Sequence, residues 1–339
     1  MSNKNLRLRD IVREKIIKGI FQKVNDEDDS WKVLILDKKT LGIVTAAVKL
    51  NEIMEHKITL IETLENARQP FPTLNAIYFI TATNKSIEYL LNDFPNKKHK
   101  AYKKAHLFFS QPLSDELITY MGKSKIADFA VNFQETNLDF MAIEQNVFSI
   151  NRGEDDLLKL YAPSTDDSVE RDDEIDDIAT QLMSVMITLN EKPYIRYNAN
   201  PNNGSAVAAD IATKLAGNLK SYYAHSSTEP RGERATLIIL GREIDVVVPL
   251  LHEFTYQAMA YDLLPIDNGI YTQEITTETG EKEQKEVLLD ESDEIWTEFR
   301  HGHISGSSEI VDRYQKFLAE YSAFSKKKKK GKNKQSKNM

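Results

Sequence analysis

Short apolar runs with no polar alternation recur through the first part of the chain, at Val33–Leu36, Ile77–Ile80 and Ala105–Phe109, each followed by a segment of helical periodicity. A strand of that kind must be covered on both faces, and a helix returning between two such strands sets them parallel in one sheet. The order therefore restricts the fold to an α/β layer structure, a parallel sheet with helices on both sides. The pattern predicts strands over Trp31–Leu36, Ile58–Ile61, Ile77–Ile80 and Ala105–Phe109. It predicts helices over Thr40–Met54, Lys85–Asp93 and Ser114–Met121, the last with Ser114 as its N-cap. Upstream, Leu8, Ile11, Val12, Ile16, Ile17 and Ile20 share a helical face within Leu6–Phe21, and the acidic run Asn25–Asp29 closes that helix.

A second α/β stretch begins near Leu138. It carries an expected strand at Val147–Ile150, an acidic linker over Asp155–Asp177 around Pro163, and a helix ending near Leu189. Tyr194–Tyr197 reads as a strand, Asn200–Gly204 as a turn and Ala206–Tyr223 as a helix. The run Leu237–Leu240 reads as another strand covered on both faces and ends at Gly241 and Arg242. Pro249 then suits the first helical position, where its missing N–H is tolerated, and opens a helix that stops before Pro265. On it Leu251, Phe254, Ala258 and Tyr261 form one stripe. Beyond Pro265 the character changes: Ile270–Thr277 and Lys285–Leu289 flank a Thr279–Glu281 turn and read as a polar hairpin, followed by helices over Asp293–His303 and Ser308–Phe324. The end, SKKKKKGKNKQSKNM from Ser325, has no apolar residue before Met339 and reads as disordered.

Composition limits the function. A chain of 339 residues that is 41% hydrophobic and 28% charged can bury cores in two or three domains. A formal charge of −8 argues against general nucleic-acid affinity, the lysine-rich end excepted. With no cysteine, disulfides and thiolate metal sites are excluded, which fits a reducing compartment. The N-terminus has no apolar core of a secretory signal, and no apolar stretch approaches the roughly 20 residues that cross a bilayer, so a cytoplasmic protein is expected.

Catalytic patterns are incomplete. Gly122-Lys123-Ser124 resembles the end of a phosphate-binding loop, but Leu117 stands where the first glycine is required. His252-Glu253 lacks its second histidine, Tyr256 standing there, and His301 and His303 are spaced to opposite helix faces. No G-x-S-x-G elbow occurs, and the turns after Leu36 and Leu240 carry single glycines, Gly42 and Gly241, too few for a dinucleotide loop. Neither a catalytic constellation nor a cofactor or metal site is expected, leaving a phosphate- or nucleotide-dependent α/β enzyme as the alternative. The lysines Lys326–Lys330, Lys332, Lys334 and Lys337 suit an anionic membrane surface, at about 1 kcal/mol per basic residue, a nuclear-import or RNA-attracting tail, or a solubilising end.

The segment LHEFTYQAMAYDLLPI, Leu251–Ile266, preceded by a strand and by Arg242 and Asp245, resembles the signature of the SM family, the Sec-one and Munc-eighteen-like syntaxin-binding proteins of vesicle fusion. The resemblance extends through Val33–Glu62, Leu74–Thr83, Ala105–Ser110 and Val287–Ile304, covering roughly residues 10–305. It implies two Rossmann-like parallel-sheet units, the second incomplete, followed by the start of a helical arch domain. On this basis 1–137 is an N-terminal syntaxin-binding domain, 138–248 part of a second domain, 249–325 the beginning of a third, and 326–339 a tail. A typical relative continues for several hundred residues, so an uncovered second sheet and self-association are expected.

What the resemblance implies is binding without catalysis: recognition of a syntaxin-type SNARE or an assembled SNARE complex in vesicle docking and exocytosis, with peripheral recruitment to the target membrane. A chain that only competes for a syntaxin peptide is a further alternative. Carried over, a cleft wall would include Asp37, Lys38, Lys49 and Glu62, and a pocket for the partner's N-terminal peptide Ile118, Phe129, Phe133 and Glu135. Many relatives carry arginine where this chain has Gly42, which removes a potential bidentate carboxylate contact. Aspartate is usual where Gly241 stands. On the residues alone, Lys49 is also the polar face of an amphipathic helix, and Phe129 or Phe133 a core side chain.

Overall fold

The computed structural model describes residues 7–161, 168–198, 206–226 and 229–304, without 231, 242–243, 268, 277–281 and 292, together with scattered positions from 311 to 319. It divides into two compact units, Met1–Ile244 and Asp245–Met339.

The first unit opens with α1 (Leu8–Ile16), a π-helical turn (Ile17–Gln22) and α2 (Lys23–Glu27). Its buried side chains Leu8, Val12, Ile16, Ile20 and Val24 repeat every four residues. Four residues of α-helix overshoot one turn by about 40°, so four such steps would rotate the stripe by about 160°. The wider π turn absorbs that drift and keeps the stripe on the core.

There follow β1 (Lys32–Leu36), α3 (Lys38–Ala47), α4 (Leu50–Glu55), β2 (Ile58–Thr63), β3 (Asn75–Ile80), α5 (Asn84–Asn92), β4 (Ala105–Phe109), α6 (Asp115–Lys123) and β5 (Ala130–Glu135). The strands form a wholly parallel sheet in the order β2-β1-β3-β4-β5. Strands β1, β3 and β4 are buried at every position. Their alternate side chains feed two cores: Leu34, Leu36, Ile77, Phe79 and Phe108 pack with α1 and α3, while Val33, Ile35, Tyr78, Leu107 and Phe109 pack with α5 and α6. Each such side chain contributes about 1.5–3 kcal/mol by leaving water, so these runs alone dictate the layering. Ser114 caps α6 as the sequence predicts, its Oγ accepting the Leu117 N–H at 3.3 Å.

Three local expectations need correction. The helix expected over Thr40–Met54 is two helices, because Val48 (φ −123°, ψ 131°) and Lys49 (φ −76°, ψ 148°) are extended. The break places the Val48 side chain in the core, and Glu52 reaches back to the Lys49 N–H at 3.1 Å to restart the helix. Strand β5 escapes a search for apolar runs because Asn132 and Gln134 interrupt it. The strand expected at Val147–Ile150 is a single bridge between Met141 and Ser149.

The rest of this unit comprises α7 (Glu154–Tyr161), α8 (Ser168–Leu189), β6 (Tyr194–Tyr197), α9 (Ala206–His225) and β7 (Thr236–Ile239), with β6 and β7 paired in parallel. Helix α8 adds Ala179, Met183 and Met186 to the core of the first sheet. The two-stranded sheet is covered on one face only. Ile195, Leu237 and Ile239 pack inward while Ile238 is 60% and Leu240 55% exposed, so the expectation of burial on both faces of Leu237–Leu240 does not hold.

In the second unit a short 3₁₀ turn (Val248–Leu250) precedes α10 (Tyr256–Leu263), and β8 (Ile266–Asp267), β9 (Ile270–Thr276) and β10 (Lys282–Leu288) form an antiparallel sheet before α11 (Glu294–Phe299). The helix expected from Pro249 starts only at Tyr256. Asp245 caps the 3₁₀ turn through the Val247 and Val248 N–H groups, at 3.0 and 3.2 Å, and Phe254 instead accepts the Ile304 N–H at 2.7 Å. Tyr256 and Tyr261 lie against Trp296, with ring centroids 5.7 and 6.5 Å away. The helix expected to run to His303 ends at Phe299. The helix expected over Ser308–Phe324 lies largely, and the lysine tail wholly, outside the described residues.

Candidate functional site

Of the peptide-pocket residues, Phe133 and Glu135 lie on β5, the edge strand of the first sheet, Ile118 on α6, and Phe129 just before β5. Phe133 pairs in register with Leu107, so it stands on the face that α6 covers, and its ring centroid lies 5.3 Å from that of Phe109. Helix α6 buries Leu117 and Met121 beneath it and turns Ile118 and Tyr120 outward. Ile118 (43% exposed) and Tyr120 (49%) stand on different faces of α6, and Val131 (44%) and Phe133 (49%) are exposed on β5, the edge strand of the sheet among the described residues. Single exposed apolar residues are ordinary, but a group of them at a sheet edge is a recognition feature. Glu135 holds the Leu113 N–H at 2.9 Å through one oxygen, which anchors the loop entering α6. Phe129 does not belong to this surface. It is buried, stacks on Phe94 with centroids 5.2 Å apart, and its ring carries the Lys100 ammonium at 5.5 Å. Of the set inferred from the resemblance, Ile118, Phe133 and Glu135 are therefore accessible, and Phe129 supports them from within.

The cleft residues are scattered. Asp37 is buried, and it caps α3 through Oδ1 to the Thr40 N–H at 2.8 Å. Its Oδ2 accepts the Thr81 N–H and hydroxyl at 2.6 and 2.7 Å and the Ser86 hydroxyl at 3.2 Å. Both oxygens are thus committed, and Asp37 offers a partner nothing without unfolding the end of β3. Lys38 opens α3, whose ten residues run roughly 15 Å, and Lys49 caps α4 beyond the extended break at Val48; both lysines are exposed. Glu62 pairs in register with Ile35, on the sheet face opposite α3 and α4, and accepts the Tyr102 hydroxyl at 3.0 Å. The structure therefore places Lys38 and Lys49 at the starts of two successive helices, α3 and α4, and sets Glu62 on the opposite sheet face.

Asp37 and Lys38 also line a crevice of about 450 Å³ at the carboxyl ends of β1, β3 and β4. In doubly wound sheets this switch point between β1 and β3 is where ligands bind. Here the crevice is mixed in charge, with Lys39 paired to the buried Asp139 at 2.9 Å and Arg152 to Glu174. Burial raises the Asp139 carboxyl from its ordinary value, and Lys39 partly offsets the shift. The Asp37 carboxylate already fills the N-terminus of α3, the position a phosphate would take. Gly42, on the same helix, faces Met141, whose Sδ would lie 3.0 Å from an added Cβ.

The histidine motifs resolve into ordinary pairs. His252 Nδ1 lies 2.7 Å from Asp262, His303 packs near Phe254 with ring centroids 6.0 Å apart, and His301 accepts from Arg300 at 3.2 Å. Sequence reasoning missed β5 as a strand, and with it the exposed Val131. The alternation Val131, Phe133, Glu135 was the available signal.

The Sec1 family model matches residues 32–339. The chain is 35% identical over 313 residues to "Protein transport protein sec1" of Dictyostelium discoideum, covering 92% of this chain and 51% of that relative. It is 34% identical over 328 residues to "SNARE-interacting protein KEULE" of Arabidopsis thaliana, covering 93% and 49%. Among solved structures, the Unc18–syntaxin 1 complex from Monosiga brevicollis superposes with a TM-score of 0.80 at 28% identity, covering 92% of this chain and 54% of that one. Sly1p in complex with an N-terminal peptide of Sed5p gives 0.75 at 25% identity, covering 94% and 55%. The chain spans about half the length of the curated relatives it matches. With the family model matched over most of its length and the α/β fold shared with these structures, the chain belongs to the Sec1 family.

Proposed function

We propose that this chain binds a syntaxin-type SNARE protein and regulates vesicle docking and fusion through binding and not catalysis. The observation that carries the reading is the apolar surface of Ile118 and Phe133 at the open edge of β5, with the Glu135 carboxylate beside it. An extended peptide gains main-chain hydrogen bonds at such an edge, an apolar slot for one side chain and a carboxylate for a basic one. A similar structure, Sly1p, is a complex with an N-terminal peptide of Sed5p, which supports a peptide as the class of ligand. Lys38 at the start of α3 and Lys49 at the start of α4 would steer a helical segment of the partner, an effect that is mainly one of rate and register. Acting this way, the chain shifts SNARE assembly by no more than its difference in affinity between partner conformations. The proposed setting is the cytoplasm, with recruitment to a membrane through the partner, and the proposed division is 1–137, 138–248, 249–325 and a tail 326–339.

Titration of the purified chain with syntaxins and with their N-terminal peptides tests the reading. Phe133→Ala and Glu135→Ala are expected to weaken peptide binding about tenfold or more, and Lys49→Glu to slow association with the full-length partner. Failure to bind any syntaxin or peptide sinks the proposal, and equal affinities across the variants sink the residue assignments. The enzyme alternative would require saturable nucleotide binding with turnover, against the Asp37 carboxylate that closes the end of α3. A chain that only competes for a peptide would bind the peptide and leave the cleft variant without effect.

A further inference from the structure

A cavity of about 460 Å³ opens on the reverse of β5, among α1, the π turn, the end of α8 and α9. Its lining includes Lys15, Gly19, Gln134, Asn137, Thr188 and Tyr223. Gln134 alternates with Phe133 and Glu135 along the strand, so the cavity lies on the opposite sheet face from the peptide surface and depends on nothing in that assignment.

Its polar groups are under-committed. The Lys15 ammonium donates to the Thr188 hydroxyl at 3.0 Å, and among the described residues no carboxylate lies within ion-pair distance of it. An ammonium carries three donors, so this one has capacity for an anionic oxygen group. The Asn137 side-chain oxygen is buried without a hydrogen-bond partner among the described residues, although native proteins satisfy nearly all such atoms. Asn137 lines the cavity and holds the left-handed backbone region, at φ 51°. Tyr222 and Tyr223, edge to face with centroids 5.2 Å apart, supply an aromatic wall. Gly19, in the π turn, would place a Cβ in open space, with nothing within 4 Å. Single π turns inside α-helices often mark ligand sites, and the volume lies in the range of small-molecule pockets.

We infer that this cavity is a binding site for a small hydroxylated ring bearing one anionic group, such as an inositol monophosphate. The single lysine takes the phosphate, the polar lining at Gln134, Asn137 and Thr188 meets the hydroxyls, and the tyrosine wall takes the ring. Burial pushes the Lys15 amine down to about 8, so binding an anion there near pH 8 draws a proton into the complex.

The test is calorimetric titration of the full chain with myo-inositol 1-phosphate, inorganic phosphate and myo-inositol, in two buffers of different ionisation heat near pH 8. Inositol phosphate is expected to bind with proton uptake and at least about tenfold more tightly than either fragment. Lys15→Met and Gly19→Leu should each weaken it about tenfold or more. Lys15→Met removes a desolvated charge and Gly19→Leu a helical glycine, so both variants should keep the fold, checked by Tm. No binding at millimolar ligand, or binding unchanged in Lys15→Met, overturns the site. Lys15-dependent sedimentation with phosphatidylinositol vesicles but not phosphatidylcholine vesicles assigns the group to a lipid headgroup; solution binding without it assigns a free ligand.

Discussion

Phe129 and Phe133 are four positions apart and were indistinguishable as candidate pocket residues, yet the strand that begins between them gives them opposite roles. Phe129 precedes β5 and turns into the core; Phe133 sits within it, on the half-covered face of an edge strand. Phe129→Ala is expected to cost about 3–5 kcal/mol of stability, whereas Phe133→Ala should cost far less while removing peptide binding. Urea denaturation beside a binding titration separates the two effects, and equal stability losses would contradict the assignment. Asp37 shows the limit of carrying a role over by residue type. Its position at a strand end was legible in the sequence, but Thr81 and Ser86, which consume its second oxygen, lie far along the chain. Asp37→Ala should therefore destabilise by about 2–4 kcal/mol, a lost cap plus buried donors left unpaired. If its stability matches wild type while syntaxin binding falls, Asp37 is a contact after all.

At the scale of elements, the periodicity of apolar residues located the central strands closely because nothing competes with burial there. It failed where polar partners decide the structure. A polar row crosses the lower end of the sheet from β1 to β5: Lys32, Asn75, His106 and Asn132 share one face. The Lys32 ammonium is buried and held by Asn25 at 3.1 Å, by the Ser30 carbonyl at 2.6 Å and by the Asp28 carbonyl, while Asn132 bridges His106 and Glu27 at 3.1 and 2.7 Å. These groups clamp the end of α2 onto the sheet, so α2 extends to Glu27 instead of stopping where the acidic run begins. Burial lowers the His106 imidazole below its ordinary value, chiefly against Glu27 and Asp28, which pull upward, and with Lys32 and Lys104 pushing further down. In the folded chain the neutral ring is favoured, so below the unfolded value of about 6.5 the unfolded state binds more protons. Stability from this site is thus complete above that pH and is lost as the pH falls below it. Denaturation at pH 7.5 and 5.5 should show a larger loss for wild type than for His106→Gln; equal losses would remove His106 from the account.

For the molecule as a whole, the five-stranded sheet packs cores on both faces, whereas the β6–β7 pair packs on one. The outer face of β6 and β7 shows Tyr194 at 54% and Ile238 at 60% exposure, with Arg234 laid over the Tyr194 ring at 3.8 Å as partial cover. A two-stranded parallel sheet with an apolar open face is an association hazard. We expect concentration-dependent self-association in sedimentation velocity, reduced by Ile238→Lys; a monodisperse wild-type monomer would contradict this. The exposure of Ile238 was not legible in the sequence, since a strand covered on one side and one covered on both share the same apolar composition.

The π turn between α1 and α2 bears on how this segment can vary. Its extra residue keeps Leu8, Val12, Ile16, Ile20 and Val24 on one side and delivers Asn25 and Asp28 to Lys32. Removing one residue there would restore a regular helix yet swing everything after it by about 100°, taking Val24 out of the core and Asn25 away from its lysine. Lys18, Gly19 and Gln22, which lie off the core, should accordingly accept many substitutions in a deep mutational scan, whereas the stretch from Ile17 to Gln22 should reject every single-residue deletion.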